Sequence, residues 1–285
     1  MSTNRLTHAM LTHRGRVRPG NEDTCAAAPE VGAYIVCDGM GGAAAGEIAS
    51  RLAADTFLAY VSAEPPANAK GMAQMVKPQA RLNAAVEAAN EAVYRQSRSS
   101  PEFLGMGTTL VALLYAPIPA LTMGSNGRSA RRTASSHGNS RASDPATLWL
   151  AHVGDSRCYR LRRGRLEQLT GDHSLVEEQL RAGQITAAQA AVSPMRNLIT
   201  RAIGSQVTVE AEIQSHHPQP GDLYLLASDG LTHEISDEEI AEVLGEIPAL
   251  RTKAGLTRAC EMLIAAANRN GGHDNITVLL VAVTS

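Results

Sequence analysis

The sequence lacks the features of several protein classes. Its four cysteines lie far apart, with no C-x-x-C pair and no histidine at zinc-finger spacing, so we expect free thiols rather than a zinc site or a disulfide framework. The amino terminus is polar and charged through Arg18, unlike a signal peptide. No apolar run reaches the length of about 18 residues needed to cross a bilayer, so we expect a cytoplasmic protein with no membrane partner.

An excess of charge of one sign is also lacking. The chain has 26 Lys and Arg residues against 28 Asp and Glu residues, which gives a net charge of −2. A non-specific nucleic-acid binder would be strongly basic, so we expect no nucleic-acid partner. With 44% hydrophobic residues in a length of 285, the chain can bury a large core. No internal repeat and no linker is recognisable, which favours a single domain over 1–285.

The hydrophobic pattern predicts more strands than helices. The apolar run 31–37, closed by Asp38-Gly39, is typical of a buried strand that ends in a turn. Helices before and after a strand-rich middle indicate two sheets with helices outside. Further strands are predicted at 107–115, 147–153, 156–162, 165–169, 207–214, 222–228 and 275–283, a hairpin turn at Arg163-Gly164, and helices at 46–61, 79–97, 237–244 and 252–269.

Two segments interrupt this pattern. Residues 116–146 are rich in Ser, Gly, Asn and Arg and have almost nothing apolar to bury, which predicts a disordered or mobile insertion. Its arginines leave two alternatives open, a merely solvated insertion or a contact with an acidic partner. Residues 172–200 have a helical pattern between two strands and are interpreted as a helical excursion.

Three aspartates share one local context, the edge of an apolar strand. Asp38 and Asp229 follow such runs and precede glycine, whereas Asp274 stands just before a run. Each alone would be an ordinary turn residue, but strand ends that converge would make an oxygen-rich pocket. Grouped carboxylates repel one another unless a hard divalent cation neutralises them. Without suitably spaced His and Cys ligands, Mg²⁺ or Mn²⁺ is favoured over Zn²⁺.

The aspartates belong to a longer series of motifs. In this order, the series resembles the protein phosphatase 2C family, in its bacterial serine/threonine phosphatase branch, across essentially the whole chain. The motifs are Arg18-Pro-Gly-Asn-Glu-Asp23, Asp38-Gly-Met-Gly-Gly42, Gly46-Glu47, Gly107-Thr-Thr-Leu110, Val153-Gly-Asp-Ser-Arg157, Asp172-His-Ser174, Ser228-Asp-Gly230 and Asp274-Asn275.

The resemblance implies an α+β fold, a four-layer αββα sandwich. Two antiparallel β-sheets would be flanked by pairs of antiparallel helices, with a metal cleft at one edge and the segment 172–200 as a flap beside it. By position, Asp38 would bridge two metal ions and the Gly39 carbonyl would bind the first ion. Asp229 and Asp274 would hold the second ion, and Asp155 with Asp229 would form a third, weaker position.

The remaining family positions imply contacts around the ions and the substrate. Glu22 and Asp23 would act mostly through metal-bound waters, and Arg18 would bind the substrate phosphate through its planar fork of donors. Arg196 in the flap is a further candidate for substrate contact. Ala43 stands where the bacterial pattern has a histidine, so a hydrogen bond near the metal ligands is expected to be missing, with an effect on metal affinity or rate.

The implied activity is metal-dependent hydrolysis of phosphoserine and phosphothreonine in proteins by a metal-activated bridging water, without a phosphoenzyme. It would use two or three Mn²⁺ or Mg²⁺ ions, and a monomer would act on phosphorylated proteins that include a cognate Ser/Thr kinase and its substrates. One alternative is a non-catalytic phosphoprotein-binding regulator on the same fold, which would be marked by lost metal carboxylates. Another is a two-metal phosphodiesterase or nuclease, which would need a basic groove.

Overall fold

Two antiparallel sheets lie face to face in the computed structural model, which describes residues 6–41, 45–63, 77–117 and 146–284. The first sheet has the order β1-β11-β10-β7-β8, formed by β1 (Leu6–His13), β11 (Ile276–Val283), β10 (Leu223–Ala227), β7 (Arg157–Arg162) and β8 (Arg165–Gln168). The second has the order β2-β3-β5-β6-β9, formed by β2 (Asp23–Ala28), β3 (Ala33–Met40), β5 (Leu110–Pro117), β6 (Ala146–Val153) and β9 (Glu212–His216), with the short β4 (Gly107–Thr108) paired to β3.

Helices cover the outer face of each sheet. The second sheet is covered by α1 (Ala45–Ser62) and α2 (Pro78–Ser97). The first is covered by α5 (Asp229–Thr232), α6 (Asp237–Gly245) and α7 (Lys253–Arg269). Two short helices, α3 (Leu175–Arg181) and α4 (Ala187–Ala191), lie within the excursion 172–200, as its pattern predicts.

The side chains of β11 show why the layers stack in this way. All eight residues of this strand are buried, and successive side chains point to opposite faces of the sheet. Val278 and Leu280 enter the core under the helices, whereas Leu279 and Val281 enter the core between the two sheets. A third core lies between the second sheet and α1 and α2. Three cores separate four layers, and the expected αββα sandwich is confirmed.

Some predicted elements differ from the observed ones. The strand predicted at 207–214 is wrong in position, because β9 begins only at Glu212. Strands β1 and β2 were not predicted from the polar start of the chain. Strand β1 is half-exposed and β2 reads Asp-Thr-Cys-Ala-Ala-Ala, so both owe their conformation to pairing with the buried β11 and β3 rather than to their own propensity.

The structure can also be compared with the predictions for the loops and the cysteines. The hairpin turn at Arg163-Gly164 is confirmed, with φ angles of 53° and 80° that suit a tight turn. The expected insertion 116–146 is too wide at both ends, because β5 extends to Pro117 and β6 begins at Ala146. The interval 118–145 and Ala43 lie outside the described residues.

All four cysteines are free, as expected, and no helix in the described part is both long and apolar enough for a membrane crossing.

Helix α1 packs on the second sheet through small residues. Ala49 and Ala53 are fully buried in the core that also holds Ile35 and Cys37 of β3. Side chains this small let a helix approach a sheet closely, and such an interface has no room for added methylene groups.

We expect Ala49→Leu to lower the free energy of unfolding by about 1–3 kcal/mol through overpacking. Ala59→Leu is the matched control, because Ala59 is exposed on the same helix and a surface change is worth within about 0.5 kcal/mol. Urea unfolding followed by circular dichroism measures both. Equal effects of the two substitutions would contradict the tight helix-sheet contact.

Candidate functional site

A cavity of about 600 Å³ opens at one end of the sandwich. Both sheets contribute to it: Asp38 comes from β3, Asp155 precedes β7, Asp229 follows β10 and Asp274 precedes β11, while Glu22 precedes β2. Among the described residues that line the cavity, Arg18 is the one basic side chain. The fold therefore concentrates negative charge at this end.

Asp38 lies within β3 rather than after it. Its backbone N–H donates to Thr109 Oγ1 at 2.9 Å, and its carbonyl oxygen accepts from Thr108 Oγ1 at 2.8 Å. A Cβ on the next residue, Gly39, would lie 2.1 Å from the backbone oxygen of Gly46. Only glycine lets β3 pass so close to the start of α1. This close contact fixes the end of β3, which carries Asp38, against the helix.

Burial and mutual repulsion together raise the pKa values of carboxylates in the cavity. Burial, followed by the charges of Asp23, Asp229, Asp155 and Asp274, raises the pKa of Asp38 well above its usual value. Burial and the nearby Asp229 raise the pKa of Asp155 to about 8. Without a positive partner, the ionised carboxylates are costly in this low-dielectric position.

Two buried carboxylate oxygens also lack a hydrogen-bond donor among the described residues, Oδ1 of Asp23 and Oδ1 of Asp229. A buried acceptor without a partner costs about 1–3 kcal/mol. Hard divalent cations take carboxylate and carbonyl oxygens as ligands, and the cavity offers such oxygens from both sheets. The residues present therefore fit Mg²⁺ or Mn²⁺.

Arg18 faces this acidic group from the rim. Its Nη2 donates to Asp274 Oδ2 at 2.6 Å, and half of its side chain is exposed. The guanidinium thus partly balances the carboxylates while remaining accessible from solvent.

The structure brings most of the predicted site residues together. The lining includes Arg18, Glu22, Asp38, Gly39, Asp155, Asp229 and Asp274. Asp23 does not line the cavity: it lies opposite Asp38 in the β2–β3 pairing and accepts hydrogen bonds from Ser228 Oγ at 2.8 Å and Thr277 Oγ1 at 2.6 Å. Burial raises its pKa to about 7, although these hydrogen bonds oppose the shift.

The flap contributes two residues to the cavity lining. Arg196 is exposed and does not line the cavity, whereas its neighbour Asn197 and the nearby Ile199 do. The role of Arg196 in substrate contact stays a prediction.

Two residues important for the geometry were not identified from the sequence. Asn275 Oδ1 accepts the Glu22 N–H at 2.8 Å, and Nδ2 donates to the carbonyls of Arg14 and Gly20, so this side chain holds the loop that carries Arg18. Thr109 holds Asp38 and shares a 2.7 Å hydrogen bond with Ser156. Both residues stand in recognised motifs, but their hydrogen-bond partners lie far away in the chain. Asn275 and Glu22, for example, are separated by 253 positions in the sequence.

A separate group of potential metal ligands, His152, His173 and Glu212, lies outside the cavity lining, with candidate ligand atoms within 4.8 Å of one another. The two imidazoles stack at 4.5 Å with planes 20° apart. Ring lone pairs lie in the ring planes, so those of stacked rings run parallel and do not converge on one ion. His152 Nε2 also lies 2.9 Å from the carbonyl oxygen of Gly171, and the group is better explained as a hydrogen-bonded polar cluster.

The raised pKa of Asp155 predicts a pH-dependent cost. Because the folded-state pKa exceeds the unfolded value, folding must take up a proton, and stability falls as pH rises from about 4 to about 8. We expect Asp155→Asn to stabilise the metal-free protein by more than about 1 kcal/mol at pH 8, with a smaller gain at pH 5. Urea unfolding in EDTA at both pH values measures the difference.

Asp222 is the control with the opposite sign. Burial favours a higher pKa for Asp222, but the hydrogen bonds from Arg162 and from the Gln219 N–H hold the pKa below its usual value. Its charge is therefore stabilising at pH 8, and Asp222→Asn should destabilise the protein there. An Asp155→Asn variant that is also destabilised at pH 8 would contradict the proposed cost of the buried carboxylate.

Comparisons with known proteins agree with this geometry. The Protein phosphatase 2C family model matches residues 3–276. The serine/threonine protein phosphatase PstP of Mycobacterium tuberculosis is 37% identical over 278 residues, which cover 98% of this chain and 45% of PstP. The serine/threonine phosphatase Stp of Listeria monocytogenes is 34% identical over 273 residues, which cover 95% of this chain and 93% of Stp.

A solved structure of a relative has a similar three-dimensional fold. The catalytic domain of PstP in complex with two manganese ions has a TM-score of 0.74 at 35% identity, covering 98% of this chain and 99% of that one. This chain spans less than half the length of the full PstP protein that it matches. With a family model over nearly its whole length and relatives of this similarity, the chain belongs to the protein phosphatase 2C family.

Proposed function

We propose that the chain is a Mn²⁺- or Mg²⁺-dependent protein phosphatase that hydrolyses phosphoserine and phosphothreonine in proteins. The observation that carries the proposal is the convergence of carboxylates from both sheets on one open cavity with Arg18 at its rim. Membership of the protein phosphatase 2C family and the two manganese ions in the PstP catalytic domain support it.

The proposal assigns four of the aspartates to metal ions. Asp38 and the Gly39 carbonyl would hold the first ion, Asp38 with Asp229 and Asp274 the second, and Asp155 with Asp229 a third. When bound, such ions would lower the pKa of water to make a nucleophile and stabilise the negative charge on the phosphoryl oxygens. The buried Asp229 Oδ1, which accepts no hydrogen bond within the described chain, is then given a partner.

Arg18 would bind and orient the phosphate of the substrate. Its guanidinium is always charged and presents several donors in one plane, which suits bidentate contact with phosphate oxygens. The ion pair with Asp274 is half-exposed, and exposed pairs are worth about 0–1 kcal/mol. Arg18 can therefore exchange this partner for a phosphate oxygen at low cost.

The alternative functions are less well supported. A non-catalytic regulator on this fold would not need the metal carboxylates, and here all are present on the cavity. A nuclease would need a row of basic groups along the cleft to follow a polynucleotide backbone, yet in the described lining the single basic residue is Arg18.

The biological setting is part of the same proposal. Phosphorylated proteins are the substrates, and a cognate Ser/Thr kinase supplies them. We further propose that the protein acts as a monomer in the cytoplasm.

The first test is phosphate release from a phosphothreonine peptide after EDTA treatment and after addition of Mn²⁺ or Mg²⁺. We expect activity only with the added ion and a fall of at least about a hundredfold in Asp229→Asn, because even residues that only support metal ligands cost about 10–100-fold when lost. Asp55→Asn is the matched control, since Asp55 is exposed on α1. An inactive, folded wild type would favour the regulator, and an active Asp229→Asn would contradict the ligand assignment.

The role of Arg18 predicts a specific kinetic pattern. Arg18→Ala should raise KM for a phosphopeptide by about tenfold or more, because a charge-assisted hydrogen bond is worth about 1.5–3 kcal/mol. Arg18→Lys keeps the charge but loses the planar fork and should fall between alanine and wild type. Steady-state kinetics at saturating Mn²⁺ separates KM from kcat. An unchanged KM in Arg18→Ala would remove Arg18 from the phosphate site.

A further inference from the structure

His173 is hydrogen-bonded to the backbone of Gly154, the residue before Asp155 in the cavity wall. Its backbone N–H donates to the Gly154 carbonyl at 2.9 Å, and its ring Nδ1 accepts the Gly154 N–H at 3.1 Å. The side chain is 3% exposed. Both polar groups of the Gly154 backbone are thus satisfied by one residue of the distant Asp172-His-Ser174 motif.

The Gly154 turn carries Asp155, which lines the cavity. Gly154 has a φ of +105°, and a Cβ there would lie 2.7 Å from Thr109 Cγ2, so the turn is pressed against the residue that holds Asp38. The hydrogen bonds between His173 and Gly154 hold the same turn, and together with the Thr109 contact they fix the backbone that carries Asp155.

His173 also holds the end of the flap. Its carbonyl accepts the Thr200 N–H at 2.8 Å, and the next residues continue the contact through a bridge between Ser174 and Ile199. Ile199 lines the cavity, as Asp155 does. One residue therefore contacts the turn of Asp155, the first residues of the flap and its last residues.

The contact requires a neutral imidazole with its proton on Nε2, which lies 3.8 Å from Glu212 Oε2. Arg201 Nη1, 3.4 Å from Nε2, can only donate and so makes no hydrogen bond to Nε2 in this tautomer. The Gly154 N–H can only donate, so Nδ1 must be the unprotonated nitrogen. Burial and the neighbouring His152 and Arg201 lower the pKa of His173 to about 4, which keeps the ring neutral at pH 7. The stacked His152 supports the ring from one side.

We propose that His173 is a positioning residue that couples the Asp155 turn to the flap, so that loss of its Nδ1 acceptor weakens cation binding at Asp155 and loosens the attachment of the flap to this turn. The part concerning the cation rests on the proposed function. The part concerning the turn and the flap rests on hydrogen bonds within the chain alone.

Two variants of similar size separate this role from packing. His173→Leu fills the buried space but has no acceptor, whereas His173→Asn places its Oδ1 near the position of Nδ1 and can accept the Gly154 N–H. His173→Gln, whose amide extends toward the position of Nε2, is a second variant without the acceptor if leucine prevents folding.

The experiment combines two readouts on metal-free, folded protein. Calorimetric titration with Mn²⁺ measures each site, and hydrogen exchange measures protection of the amides of Gly154 and Thr200. For His173→Leu we expect the weakest Mn²⁺ site to lose about tenfold in affinity, the equivalent of one backbone hydrogen bond, with faster exchange at both amides. His173→Asn should restore both readouts to within about threefold of wild type, a residual difference of less than 1 kcal/mol.

The outcomes are distinguishable. Equal losses in the asparagine and leucine variants would overturn the proposal and leave a packing role, and unchanged exchange in leucine or glutamine would overturn it outright. A wild type that binds no Mn²⁺ would instead overturn the proposed function, while the exchange comparison would still decide whether His173 holds the turn and the flap.

Discussion

The repulsion among the carboxylates at one end of the sandwich is the constraint on which the rest of the structure depends. Asp38 and Asp229 come from different sheets, so neither sheet alone can form the site. Burial, and then the like charges that surround it, raise the pKa of Asp38 and make its ionised form destabilising. The packed cores on both sides of each sheet supply the free energy that holds them in place.

The supporting contacts explain how the site keeps its geometry. Thr109 fixes Asp38, Asn275 fixes the loop of Glu22 and Arg18, and Ser228 and Thr277 satisfy one oxygen of Asp23. Each donor is a neutral side chain or backbone group, so the network orients the carboxylates and leaves most of their charge uncompensated. Uncompensated, oriented oxygens are what a hard cation binds best.

The sequence was sufficient to predict the layered fold and the acidic residues that line the cavity. The eight buried residues of β11 and the apolar run before Asp38 are long, continuous signals, and the motif order identified the family. Strands β1 and β2 were missed because pairing, not composition, makes them strands. The position of Asp23 behind Asp38, and the role of Asn275, depend on contacts between distant segments that no local pattern records.

Metal occupancy and flap conformation must influence each other if His173 couples them. Coupling between two sites is reciprocal: whatever factor the ordered flap adds to cation affinity at Asp155, the bound cation adds to the population of the ordered flap. A cation at Asp155 also removes the repulsion from Asp229 and so stabilises the folded state by mass action. In that case the attachment of the flap, metal binding and global stability would all depend on the same few hydrogen bonds around Gly154.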